Sequence, residues 1–140
     1  MTERFETADR LHSAAIHLLR GAAKSDAQSG QGPARLSALS VLVFAGPKTL
    51  GQLATIERVK PPTMTRIVAG LKQSGLVRVE GEIADARKKV ISVTAKGERI
   101  LQEARKRRIE WLAENLRRLN HADLKTLRKA SEVIEQMLQP

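Results

Sequence analysis

TLGQLATIERVKPPTMTRIVAGLKQSG, residues 49–75, decides how this chain folds. Thr49 and Gln52 stand at capping-box spacing, in which a threonine hydroxyl accepts from an early helical N–H and a glutamine three residues on reaches back to the cap. A short helix therefore starts at Thr49, carries Leu53, Ala54 and Ile56, and gives way at Arg58-Val59-Lys60. Pro61-Pro62 restarts a helix, because proline is tolerated in a first turn whose N–H groups have no acceptor. The second helix runs toward Gly75 with Met64, Ile67, Val68 and Leu71 as its inward stripe, which turns Thr63, Thr65, Arg66 and Ala69 outward. Two helices thus meet across a tight turn, and the second shows a small, partly cationic outer face.

After Gly75 the period changes from helical to alternating. Leu76, Val77 and Val79 interleave with Arg78 and Glu80, and Val90-Ile91-Ser92-Val93-Thr94 answers them, which predicts two antiparallel strands. Residues 81–89 between them are too many for a minimal turn and are basic at the far side, so they form an extended hairpin tip. From Thr94, an N-cap, a long helix carries Ile100, Leu101, Ala104, Leu112 and Leu116 to about Arg118, a length of roughly 35 Å at 1.5 Å per residue. Asn120-His121-Ala122-Asp123 caps a last helix with Leu124, Leu127, Ile134 and Leu138 on one face.

Upstream, Phe5, Ala8, Leu11, Ala15, Leu18 and Ala22 recur at spacings of three and four, the mark of an amphipathic helix. Residues 24–34, KSDAQSGQGPA, read as a mobile loop broken at Pro33. Residues 34–45 form a largely buried helix through Leu36, Leu39, Val43 and Phe44, stopped by Gly46-Pro47. The expected fold is mainly α with a small β wing: a winged helix-turn-helix flanked by N- and C-terminal helices. Its parts are residues 1–34, an N-terminal helix and loop; 35–94, the winged helix-turn-helix; and 95–140, a long helix and a C-terminal helix.

The chain has 140 residues, 25 of them Lys or Arg against 15 Asp or Glu, for a formal net charge of +10. Residues 1–34 and 119–140 are each balanced, while 35–94 hold ten bases against four acids and 95–118 eight against four. A localised positive field favours a polyanion, because each phosphate neutralised releases condensed counterions. With no cysteine there is no disulfide framework, thiolate metal site or cysteine-based redox sensor. No apolar run reaches the ~18 residues of a membrane span, and MTERFETADR is too charged for a secretory signal, so the expectation is a cytoplasmic protein.

A helix fits the major groove of B-DNA, where its exposed side chains meet base edges and its positive dipole end faces phosphate. Thr49, Gln52, Pro62, Thr63, Thr65 and Arg66 on the helix pair are the expected DNA contacts. Thr63 and Thr65 offer hydroxyls and methyls, while Arg66 pairs with guanine or clamps phosphate. Arg87, Lys88 and Lys89 join them from the hairpin: Arg87 suits a narrow minor groove, and Asp85 can brace its guanidinium.

Residues 49–94, and more loosely 5–138, resemble the MarR family of bacterial transcription regulators. The resemblance lies in Thr49-Leu-Gly-Gln52-Leu-Ala, in Thr65-Arg66-Ile-Val-Ala-Gly-Leu71 with Gly75-Leu-Val, in Asp85-Ala-Arg87, and in Val93-Thr94-Ala-Lys-Gly97. It implies an obligate homodimer joined through the first and last helices, bound to double-stranded DNA at a pseudo-palindromic operator. It further implies a repressor released by a small, often aromatic, effector in a pocket between the first, second and fifth helices, for which His12, Ile16, Phe44 and Trp111 are candidates. Pro61-Pro62 departs from the polar residues many members carry there, so base preference does not transfer, and the lack of cysteine removes the thiol-oxidation branch.

Rival classes fare worse. His12, His17 and His121 lack a carboxylate pattern of metal-ligand type, and no glycine-rich phosphate loop follows a strand, so neither enzyme activity, cofactor nor metal is expected. An RNA or ribosome-associated protein is allowed by charge, yet Phe5, Phe44 and Trp111, the only aromatics, all sit on helical apolar faces rather than on a stacking platform. The run Arg105-Lys106-Arg107-Arg108 either adds field over the DNA or is a solvated face, and it interrupts any membrane-surface helix.

Overall fold

The computed structural model describes residues 2–81 and 89–140, which fall into two compact units, 1–108 and 109–140. Helix α1 (Glu3–Ala23) opens the first unit, with Thr2 Oγ1 accepting from Phe5 N and with Glu3 and Glu6 in the turn where the helix dipole favours acids. No residue of α1 is buried.

Residues 24–34 differ from the loose loop expected of them. Lys24–Ser29 is a 3-10 turn closed by Gly30 at φ 71°, and its polar residues serve its own backbone, Ser25 Oγ donating to Ala22 O and Ser29 Oγ to Asp26 O. Asp26 is only 3% exposed. Its carboxylate accepts from Arg108 Nε at 2.7 Å and from Arg108 Nη2, a two-pronged ion pair across 82 residues of sequence. The hydrogen bond to Asp26 holds the Arg108 guanidinium above its ordinary pKa; desolvation works against it, and charge attraction adds to it. Pro33 does not break the segment but begins α2 (Pro33–Ala45), as a proline at the first helical position can.

Helix α2 buries Leu36, Ala38, Leu39 and Leu42, but Phe44, expected inside, is 62% exposed. Two residues, Lys48–Thr49, then form β1, which the sequence reading missed. The capping box stands as expected: Thr49 Oγ1 accepts from Gln52 N at 3.2 Å, Gln52 Oε1 accepts from Thr49 N at 2.9 Å, and α3 (Leu50–Glu57) follows. Arg58 takes the left-handed conformation, φ 55°, and lets Val59 N donate back to Ala54 O, which turns the chain into α4 (Pro61–Gln73). Gly75, φ 74°, ends α4 the same way, with Leu76 N donating to Leu71 O and Gly75 N to Lys72 O, the Schellman pattern.

Strands β2 (Val77–Glu80) and β3 (Val90–Val93) pair antiparallel with Val77 opposite Val93 and Val79 opposite Ile91. β1 adds to the free side of β3, Lys48 opposite Ile91, so the sheet has three strands in the order β1-β3-β2 rather than the two expected. Thr94 Oγ1 accepts from Gly97 N and donates to Gly75 O, tying the start of α5 (Ala95–Leu116) to the end of α4. Gly97 is needed there, since a Cβ would stand 2.1 Å from Leu76 O.

The core of this unit gathers Leu39, Leu53, Met64, Leu71, Leu76 and Ile91, each under 2% exposed, with Leu101 and Ala104 of α5 closing it. Such burial stabilises by roughly 1.5–3 kcal/mol for each large side chain, before the entropy of ordering the chain is counted. The second unit holds the end of α5 and α6 (His121–Leu138), capped by Asn120 Oδ1 accepting from Asp123 N. α6 buries no residue, and Leu127, Val133, Met137 and Leu138 are exposed. No helix among the described residues is long and apolar enough to cross a membrane.

Candidate nucleic-acid interface

The buried stripe of α4 sets the direction of its outer face. Met64, Val68 and Leu71 are buried and Ile67 half-buried, so Pro62, Thr65, Arg66 and Ala69 are exposed and Thr63 is half-buried. Among the described residues Arg66 has neither a hydrogen-bond nor an ion-pair partner, which leaves its whole guanidinium fork for a ligand. Thr65 is more restricted than its sequence suggests. Its hydroxyl donates to Pro61 O at 2.9 Å, so toward a base it can only accept, for instance from an adenine or cytosine amino group, while its methyl suits thymine.

The N-terminus of α4 also differs from a general phosphate cradle. Lys60 caps it without a side-chain bond, the prolines at 61 and 62 have no N–H, and Thr63 N and Met64 N both donate to Lys60 O. The dipole remains positive there, but no backbone donor of the first turn is free. Ahead of it, Gln52 is exposed and Thr49 half-buried at the start of α3. Their acceptor oxygens serve the capping box, so what they can offer a phosphate is the Gln52 amide N–H and the Thr49 hydroxyl proton. Lys89 is half-buried at the foot of β3, while Asp85, Arg87 and Lys88 lie outside the described residues.

Part of the positive surplus has a structural task. Lys48 Nζ donates to Ala45 O at 2.8 Å and Lys96 Nζ to Ser74 O at 3.0 Å, each cation meeting carbonyls at a helix end. The arginine run of α5 is likewise not one solvated face. Arg108 turns to Asp26, and Arg105 lies 5.9 Å from the centroid of the Phe44 ring, within cation–π range. Leu101, Ala104, Arg105 and Arg108 share one face at spacings of three and four, the signal that could have separated them from the rest of the run.

Those residues border a cleft of about 400 Å³ between α2 and α5, with Leu36, Phe44 and Leu101 as apolar wall and Ser37, Ser40, Arg105 and Arg108 as polar wall. Of the effector candidates only Phe44 lines it. His12 and Ile16 are exposed on α1, and Trp111 is half-buried in the second unit, where its carbonyl accepts from Asn115 Nδ2.

A helix pair with an outward-facing second helix, set between the first strand of a three-stranded antiparallel sheet and the hairpin that completes it, is a winged helix-turn-helix. A model of the MarR family matches residues 29–88. An HTH-type transcriptional regulator of Mycobacterium leprae is 37% identical over 94% of this chain and 92% of its own, and one of Mycobacterium tuberculosis is 41% identical over 71% of this chain and 70% of its own. Among solved structures, a MarR family protein from Bacillus stearothermophilus superposes with a TM-score of 0.82 at 24% identity, covering 99% of this chain and 98% of that one. MarR of Escherichia coli in its apo form superposes at 0.76 and 17% identity, over 94% of this chain and 96% of that one. The chain belongs to the MarR family of DNA-binding transcription regulators.

Proposed function

We propose that this protein is a cytoplasmic repressor that binds a pseudo-palindromic operator as a homodimer and is released by a small aromatic anion. The observation that carries the reading is the outer face of α4, where small side chains and an arginine without a partner among the described residues back directly onto buried Met64 and Leu71. Such a helix can approach base edges closely without exposing core. In this reading Thr49, Gln52, Pro62, Thr63, Thr65 and Arg66 meet the groove and its phosphates. Arg87, Lys88 and Lys89 extend the footprint to the flanking minor groove, with Asp85 bracing Arg87. The parts of the chain are then those expected from the sequence, with residues 35–94 on DNA and 1–34 and 95–140 holding the two copies together.

Dimerisation is supported by the terminal helices. α1 exposes Phe5, Leu18 and Leu19 at 62%, 46% and 64%, and α6 exposes Met137 and Leu138 at 59% and 68%, amphipathic faces that bury nothing within one chain. A two-fold dimer sets its reading helices one duplex turn apart, ~34–36 Å, which demands an inverted repeat. The effector reading rests on the cleft between α2 and α5, where an aromatic ring would meet Leu36, Phe44 and Leu101 and an anionic group the serines and arginines. A ligand there acts by preferring a dimer whose spacing misfits the groove.

Selection of bound duplexes from a random pool tests the whole reading. Inverted repeats with half-sites about 10–10.5 bp apart are expected. Arg66→Ala and Arg87→Ala should each weaken the selected duplex by about 1–3 kcal/mol, a factor of roughly 5 to 150. Benzoate, but not benzamide, should release it. Selection of unpaired half-sites defeats the two-fold dimer, undiminished affinity in both variants defeats the DNA contacts, and equal action of the two compounds defeats the anion.

A further inference from the structure

Arg35 stands in the first turn of α2, and its guanidinium lies against the flank of α4. A Cβ built on Gly70 would be 2.2 Å from Arg35 Nη2, 2.5 Å from Cζ and 3.0 Å from Nε. Only a residue without a side chain leaves room for that seat. Gly70 follows Arg66 by four positions and so shares its face one turn along α4. The seat therefore brings a second cation to the border of the outer face that Arg66 occupies.

Among the described residues nothing accounts for the charge. Arg35 Nη1 donates to the neutral Gln31 Oε1 at 3.4 Å, and no carboxylate among the described residues pairs with the guanidinium. The first turn of α2 carries no acid, and a cation there opposes the helix dipole. Glycine inside a helix is itself unfavourable, because it gives up more backbone freedom than alanine. Two locally unfavourable residues, an arginine at a helix start and a glycine in a helix interior, thus combine to hold one planar fork against α4, one turn along from Arg66.

We propose that Arg35 is a DNA-contact residue that clamps a backbone phosphate at the edge of the groove α4 enters. Half-buried and seated on Gly70, the guanidinium is held back from the exposed row of Pro62, Thr65, Arg66 and Ala69, so it meets phosphate rather than base edges. Its contact fixes how deeply α4 docks and reads no sequence. The inference rests on the reading of the α4 outer face as groove-facing, and Arg66 is the control that separates the two.

The test measures fluorescence anisotropy across a salt series with two labelled 30-bp probes, a duplex selected from a random pool and a mixed-sequence duplex. Arg35→Gln should weaken both duplexes by the same factor, about tenfold, and flatten the slope of log affinity against log salt by about 0.9 per chain bound. Gly70→Ala should reproduce that loss without lowering the melting temperature, since its methyl displaces only the end of a flexible side chain. The double variant should bind no worse than either single one. If Arg35→Gln binds like the parent protein while Arg66→Ala loses affinity, Arg35 has no such role and the α4 reading stands; if Arg66→Ala is also unaffected, the α4 reading itself fails. A loss confined to the selected duplex overturns the phosphate assignment, and additive losses in the double variant overturn the seat on Gly70.

Discussion

Helices α4 and α6 are written in the same code, an apolar stripe against a polar face, yet they end differently. The stripe of α4 disappears into the core, with Met64 and Leu71 fully buried, while α6 keeps Leu127, Val133, Met137 and Leu138 at 46%, 47%, 59% and 68% exposure. α1 resembles α6 in this respect. The contrast teaches that helical periodicity announces a face to be covered and says nothing of what covers it. In the winged lobe the cover comes from the same chain. For the terminal helices we assign it to a second copy, because leaving so much apolar side-chain surface in water forgoes the largest favourable term in folding.

That contrast can be broken at three points. Met64→Ala should cost about 2–5 kcal/mol of unfolding free energy by urea titration, the range for emptying a closed core site; a loss below ~1 kcal/mol means the lobe is not closed by its own chain. Leu127→Lys combined with Met137→Lys should lower the apparent stability by about 1–3 kcal/mol at micromolar protein and shift the sedimenting mass from two chains toward one, an effect that depends on concentration because it acts through association. A two-chain mass that persists down to nanomolar concentration in this variant refutes the role given to α6. Ile56→Ser sharpens the comparison from the other side. Ile56 is 49% exposed, but on α3 of the winged lobe, so its loss should change stability by no more than about 0.5 kcal/mol and leave the mass unchanged.

What could be read in the residues divides by distance along the chain. Thr49 with Gln52, Thr94 with Gly97, Asn120 with Asp123, and the turn at Gly75 were all legible, because each is a hydrogen-bond arrangement closed within three to five residues. β1 was not, since two residues carry no period and Lys48–Thr49 becomes a strand only by meeting Val90 and Ile91 some forty positions on. The Asp26–Arg108 pair was hidden for the same reason, and with it the ordered state of a segment whose composition reads as loop. In the candidate interface the inward stripe alone pointed to Thr63, Thr65, Arg66 and Ala69 as the outward set, of which Thr65, Arg66 and Ala69 are exposed and Thr63 is half-buried. That the Thr65 proton is already committed to Pro61 O did not follow from it, because the rotamer of an exposed hydroxyl answers to the backbone around it.

The amino-acid order by itself determined where most helices lie, which face of each is apolar, and that the charge surplus sits in the middle of the chain, because those properties depend on near neighbours and composition. Tertiary structure alone decided which apolar faces meet, that Arg108 pairs with Asp26 and Arg105 lies over the exposed Phe44 ring, and that Gly70 is a seat for Arg35. These are contacts between residues distant in sequence, and their energies exist only once packing has brought the partners together.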